Sequence, residues 1–191
     1  ANKSERFTQT KLHHNSFIQK NGTVLNTITI TRNHTYTHEK LHSILKSDTW
    51  PPNVKNLLQN EALEWKLGGG ENRTMLRMYV PKDSELQKQI SPSGEIKFSH
   101  EYDDRFGVFE IPLHVLPGEK IVTTLQYTTK IKRGSHSWRP YHLKIIGPRG
   151  RKRTLFMGTL SHPKDAQVEA STQNTDSYNP LQDQEIRTVV R

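Results

Sequence analysis

Apolar residues recur at every second position over several segments of this 191-residue chain, and no other feature constrains its fold as much. Side chains two apart on a β-strand share one face. In FGVFEIPLHV this rule groups Phe109, Ile111, Leu113 and Val115; in TMLRMYVP it groups Leu76, Met78 and Val80. In KIVTTLQYTTKI it groups Ile121, Thr123, Leu125, Tyr127 and Ile131. Residues 7–19 and 24–32 read as a first hairpin, because Asn21-Gly22 between them tolerates the positive φ of a tight turn. Shorter strand candidates cover 95–100, 141–146 and 154–160, and Pro117-Gly118 marks another turn. Pro112 argues for an edge strand or a bulge, since proline has no N–H to give to a ladder.

Many short strands between turn signals predict an all-β fold, an antiparallel β-sandwich of Ig-like type. Phe109, Ile111, Leu113, Leu125, Tyr127, Leu76 and Val80 are expected to point inward. The sandwich domain is expected over 1–162, with a two-helix insertion at about 36–70. Its first helix falls at 38–46 and ends before Pro51-Pro52. The second covers 53–67: Val54, Leu57, Leu58 and Trp65 share a stripe, Asn53 is the N-cap, and Gly68-Gly69-Gly70 ends it. Residues 163–191 are expected to form a flexible polar tail, with a last strand at 186–190.

The apolar content is 31% and mean hydropathy is -0.82, a deficit assigned to surface loops and the tail. A net charge of +9 favours anionic partners (nucleic acid, a teichoic-type cell-surface polymer or acidic lipid head groups), and a charged surface that serves solubility alone explains it equally well. The absence of cysteine excludes disulfide staples and thiolate metal sites. No apolar run approaches the ~20 residues of a membrane helix. The chain begins with Ala rather than Met, so an export signal or anchor is expected before Ala1.

The segments ANKSERF, NGTVLNTITIT, MLRMYVPKDSEL, FGVFEIPLHVLPGEK and TTLQYTT, in this order, resemble the C-terminal region of a bacterial family of unknown function. Its members are large envelope proteins, frequent in candidate-phyla (patescibacterial) and some Gram-positive genomes. In that family a hairpin precedes a YLRvYVPkgS-type strand, and a later strand runs into a P-G-E turn before one ending in Tyr. Here those elements are Asn21-Gly22-Thr23, residues 76–84, residues 106–119 and residues 121–127. The resemblance is patchy over residues 1–160 and rests on turns and strands. It implies an extracytoplasmic β domain of a membrane-anchored protein, at the cell surface or outside the cell, and brings no functional residues with it.

Two motifs carry chemistry of their own. His38-Glu39-Lys40-Leu41-His42 is an H-E-x-x-H string. On a helix, His38 and His42 lie one turn apart and suit zinc, with Glu39 as general base. Glu61, on the apolar stripe of the second helix, is the candidate third ligand, a spacing that resembles the gluzincin metallopeptidases. Against this stand the charge of Lys40 and the Pro51-Pro52 break. A polar helix with surface histidines explains the same string, and His34 extends the row at i, i+4, i+8. The second motif is Arg149-Gly150-Arg151-Lys152-Arg153, read as a hairpin tip, with Lys130, Lys132, Arg133 and Arg139 before it. Arg149, Arg151, Lys152 and Arg153 form a candidate anion-binding patch. No recognition helix or stacking aromatics mark sequence-specific nucleic-acid reading.

The function expected is a non-catalytic surface or interaction module with no cofactor, its partner an anionic cell-surface polymer or another surface protein. The alternatives are a zinc-dependent hydrolase and, more weakly, a polyanion or nucleic-acid binder.

Overall fold

A computed structural model describes residues 3–45, 61–100, 106–131, 139–145, 154–162, 168–170 and 184–190, some of them, His42 included, as backbone only. The fold is all-β with few helices. A 3-10 turn at Ser4–Phe7 leads into β1 (Thr8–Ile18) and β2 (Thr23–His34). Helices α1 (His38–Leu45) and α2 (Glu61–Glu64) follow, the second running into a π turn at Trp65–Gly69. Then come β3 (Asn72–Pro81), β4 (Glu85–Ile90), β5 (Lys97–His100), β6 (Phe106–Val115) and β7 (Lys120–Lys130). Strands β8 (Arg139–Ile145), β9 (Thr154–Ser161), β10 (Val168–Ala170) and β11 (Gln184–Val190) close the chain.

The first hairpin forms as its turn residues dictate. Gly22 takes φ 84°, the Thr23 N–H donates to Asn21 Oδ1 at 2.9 Å, and Ile18 faces Val24 across the pair. This hairpin anchors a five-stranded sheet in the order β4-β7-β2-β1-β9. Its pairs are antiparallel except β1 with β9, which runs parallel from Thr10↔Thr154 to Phe17↔Ser161. A three-stranded sheet, β3-β6-β5, supplies the other layer.

The core lies between the two sheets. Ile28, Ile30, Leu125 and Tyr127 meet Val80, Phe109, Ile111 and Leu113, and Ile96 closes the cluster. All seven residues expected to point inward belong to it, Leu76 from its partly buried margin. A third sheet, β10-β11-β8, pairs β11 antiparallel with β8 from Gln184↔Ile145 to Val190↔Arg139. The last strand thus starts at Gln184, and β10 lies within the stretch read as a polar tail.

One local expectation holds in a restricted form and another is corrected. Pro112 sits in β6, the central strand of its sheet, opposite Met75. Pairing of β6 with β5 ends at Glu110, so β6 is locally an edge beyond it. The His114 N–H, two residues on and therefore aimed to the same side as the N of Pro112, donates to Ser93 Oγ at 2.8 Å. The missing N–H of Pro112 thus falls where no β5 residue pairs with β6. The second helix does not reach Leu67 as an α-helix. It changes to a π turn at Trp65, and Gly68 within that turn has φ 137°. Asn53, Val54, Leu57 and Leu58 lie outside the described residues.

The inner face of β2 changes from apolar to polar at its end. Arg32 and His34 continue the parity of Ile28 and Ile30 and are buried with them. Arg32 donates to Asn72 Oδ1 at 3.0 and 2.7 Å, to Thr10 Oγ1 at 3.0 Å, and to Glu5 Oε2 at 2.7 Å. Asn72 donates in turn to Ser4 Oγ and to Glu5 Oε2, both at 3.0 Å. This network ties both sheets to the N-terminal turn. A buried guanidinium is tolerated because its donors meet acceptors and a carboxylate.

Candidate functional site

The H-E-x-x-H string does form a helix, and its start is capped by Thr37, whose Oγ1 accepts from the Lys40 N–H at 3.2 Å. Leu41 is buried against Phe7 and Tyr36, with Leu67 beside them, which holds α1 on the N-terminal turn. His38 is exposed, and its Nδ1 lies 3.0 Å from Glu64 Oε1. Tyr36 donates its hydroxyl proton to the same oxygen. Burial and that carboxylate raise the Tyr36 pKa well above the usual phenol range.

The carboxylate beside the string is therefore Glu64, not Glu61. Glu61 is exposed at the start of α2 and makes no hydrogen bond or ion pair among the described residues, so the buried position expected for it is corrected. Glu39 is exposed on the first turn of α1. His34 is not on the helix row at all. It ends β2, buried, and donates from Nε2 to Gly70 O at 3.0 Å, while Nδ1 accepts from the Tyr36 N–H at 3.3 Å. Both ring nitrogens are thus used by the neutral tautomer, and burial lowers the His34 pKa below its ordinary value. Among the described residues no group of three or more His, Cys, Asp or Glu is placed to hold a metal ion. The zinc set read from the sequence is not assembled by the described side chains.

The anion-binding candidates Arg149, Arg151, Lys152 and Arg153 lie outside the described residues, as do Lys132 and Arg133. Lys130 ends β7, exposed.

A second polar group is buried inside the five-stranded sheet. His14 Nε2 lies 3.1 Å from Asn26 Oδ1 and 3.2 Å from Ser16 Oγ, and Ser16 donates to Asn26 Oδ1 at 2.8 Å. Desolvation pushes His14 down to about 4, so the ring is neutral at physiological pH. Serine and asparagine meet the same ring nitrogen, whereas a nucleophilic triad needs them on opposite ones. The arrangement is a hydrogen-bonded core element.

The outer face of the three-stranded sheet has a different character. Here the sequence reading marked no site. Register places Arg73 opposite His114, Met75 opposite Pro112, Arg77 opposite Glu110 and Tyr79 opposite Val108, all on the outward parity. Glu71 grips Arg73 with both oxygens, at 2.8 and 3.1 Å, and accepts from His114 Nε2 at 2.8 Å. The Arg73 guanidinium first, then the His114 ring, hold the Glu71 carboxyl below its ordinary value. Arg73, Met75, Ser93, Pro112 and His114 border a groove of about 430 Å³ beside this cluster. Further along the face, Arg77 pairs with Glu110 at 2.9 Å, and Tyr79 meets Phe106 edge-on at 6.5 Å. Met75, Tyr79 and Phe106 are 55%, 54% and 45% exposed. The signal for this face was the odd-numbered set Arg73, Met75, Arg77 and Tyr79, which alternates with the core set in the same strand.

No protein-family model matches the chain, and no curated protein matches it. Among solved structures, an M1 zinc metallopeptidase from Deinococcus radiodurans is similar over 96% of this chain and 38% of that one, with 10% identity and a TM-score of 0.38. A putative protease from Parabacteroides distasonis ATCC 8503 is similar over 97% of this chain and 35% of that one, with 9% identity and a TM-score of 0.35. The chain thus spans less than two fifths of their length. Likeness at such scores transfers neither fold nor chemistry. No described helix is long and apolar enough to cross a membrane.

Proposed function

We propose that this chain is a non-catalytic, extracytoplasmic interaction module, the C-terminal β domain of a membrane-anchored bacterial envelope protein, and that it docks another surface protein. The carrying observation is the outer face of β3-β6-β5, where Met75, Tyr79 and Phe106 stand half-exposed around the Arg77–Glu110 pair. Aromatic residues, Met and Arg are the types enriched where proteins meet, and large exposed apolar side chains gathered on one rigid face mark a contact surface. Arg149, Arg151, Lys152 and Arg153 supply a second contact, to an anionic cell-surface polymer.

The architecture fits an Ig-like sandwich in one layer. The order β1-β2-β7-β4 has the form of the A-B-E-D sheet of that fold. It departs in the other layer, because β6, the strand paired with β3, comes before β7 in the chain.

The test is surface display of the full-length protein. Tag accessibility to protease on intact cells is expected, together with loss of retention on isolated envelopes in Tyr79→Ala/Phe106→Ala at unchanged Tm. A tag protected in intact cells, or full retention by the variant, refutes the reading.

A further inference from the structure

We propose that the outer face of the five-stranded sheet binds a neutral polysaccharide chain laid across its strands. The sheet registers align its side chains in rows. One row runs Lys88, Gln126, Thr27, Asn15, Thr159 from β4 to β9. The next runs Ile90, Thr124, Thr29, His13, Met157. On the three middle strands these rows hold Thr124, Thr29, His13, Gln126, Thr27 and Asn15, and no Lys, Arg, Asp or Glu. Yet charged residues make up 25% of the chain, and its net charge is +9. Two adjacent rows kept free of formal charge on the middle strands of so basic a protein suit an uncharged partner.

The polar groups are ordered. Gln126 Nε2 donates to Thr27 Oγ1 at 3.2 Å, and the Thr159 hydroxyl donates to Asn15 Oδ1. Those bonds leave the Asn15 amide hydrogens, the Gln126 carbonyl and the Thr27 hydroxyl proton for a ligand. Each sugar hydroxyl needs both a donor and an acceptor, which these groups provide side by side. Strands lie ~4.8 Å apart, so a polymer crossing them meets one side chain per strand, at a spacing close to the advance of one sugar ring.

The distribution of apolar groups argues against a protein partner here. Protein interfaces have an apolar centre and a polar rim. This face is the reverse. Within these two rows the centre is hydroxyl and amide, and the exposed apolar side chains of the face stand at the ends of the rows (Ile90, Met157) or in the rows on either side (Phe17, Val122). At the margin they can pack on the C–H face of a pyranose while the centre takes its hydroxyls. An anionic polymer would find Lys88 at one end of these rows, Lys11 in the row beyond, and Lys120 and Lys130 at the two ends of β7, away from the six central side chains.

The experiment uses the full chain with insoluble cellulose and chitin, and with xylan and β-1,3-glucan in affinity gels, at low and high salt. Retention on at least one neutral glycan, unchanged by salt, is expected. Asn15→Ala/Gln126→Ala is expected to weaken it about tenfold or more, the loss of one or two hydrogen bonds to ligand. Thr124→Lys, a charge on an open face, provides the same readout if the double variant fails to fold. Tyr79→Ala is expected to bind the glycan as wild type does, which separates this face from the protein-docking face above. Four results overturn the proposal: no retention on any neutral glycan, retention only on heparin or polygalacturonate with loss at high salt, wild-type binding by folded variants, or sedimentation showing that Asn15→Ala/Gln126→Ala turns a dimer into a monomer.

Discussion

Gly68 combines a very close approach to a buried ring with a positive φ, so one methyl group added there is expected to be strongly destabilising. A Cβ built there would lie 2.3 Å from Phe7 Cε2 and 2.4 Å from Phe7 Cδ2. The ring cannot swing aside cheaply. Phe7 is buried, stacks edge-on against Tyr36 at 5.1 Å, and packs with Leu41 and Leu67. The backbone is pinned too, since the Lys3 N–H donates to Lys66 O at 3.0 Å. Gly68→Ala therefore meets two penalties. A non-glycine residue at φ 137° is strained by roughly 1–3 kcal/mol, and overpacking a tight contact adds about 1–3 kcal/mol. Relaxation is shared between them, so a total of ~3 kcal/mol is expected. In urea unfolding, with a slope of about 2 kcal/mol per molar, this lowers the midpoint by ~1.5 M. A double-mutant cycle with Phe7→Ala isolates the clash: in that background the alanine loses the steric part and keeps the backbone part, giving a coupling of about 1–3 kcal/mol. A Gly68→Ala protein within about 0.5 kcal/mol of wild type, or a cycle with no coupling, refutes the reasoning.

Acid should destabilise the domain through its buried histidines. The folded pKa of His14 is depressed from 6.5 to about 4, so the folded state binds fewer protons, stability is full above 6.5, and it falls as pH drops from 6.5 toward 4. The loss is on the order of 3 kcal/mol, His34 adds in the same direction, and denaturant midpoints measured across that window should flatten in His14→Gln. Metal analysis of untagged protein purified without chelator is expected to show no stoichiometric zinc; one zinc per chain, with peptidase activity lost in Glu39→Gln, would establish the hydrolase instead. On a heparin column, Arg151→Ala/Lys152→Ala/Arg153→Ala is expected to elute at lower salt with a log–log slope reduced by about three, and unchanged elution dismisses the patch.

Period-two alternation made most of the sheet legible, because a strand packed on one side must segregate its side chains by parity. The same parity held information that charge obscured. Arg32 and His34 follow Ile28 and Ile30 at even positions, and hydropathy alone does not mark them as buried. What decides their burial is partners from elsewhere: Asn72 and Glu5 for Arg32, the Gly70 carbonyl for His34. The choice between Glu61 and Glu64 was equally out of reach. It depends on where the helix gives way to a π turn, and so on which carboxylate that turn delivers to Tyr36 and His38. The tolerance of β6 for Pro112 depended on where a neighbouring strand stops pairing, a matter of another segment's length.

The parallel partnership of β1 with β9 sets the order in which this protein can be completed on the ribosome. Strand β1 joins β2 as soon as a local hairpin emerges, but Asn15 must wait for Thr159, 144 positions later. Until then one flank of β1, from Thr10 to Phe17, offers unsatisfied amides and carbonyls to any neighbouring nascent chain. Closing so long a loop adds little to the equilibrium cost, which grows only logarithmically with length, yet pairings so remote in sequence form slowly. A chain truncated before Thr154 would leave that flank open permanently and should aggregate edge to edge, while a strand peptide spanning residues 154–161, supplied in trans, should suppress it.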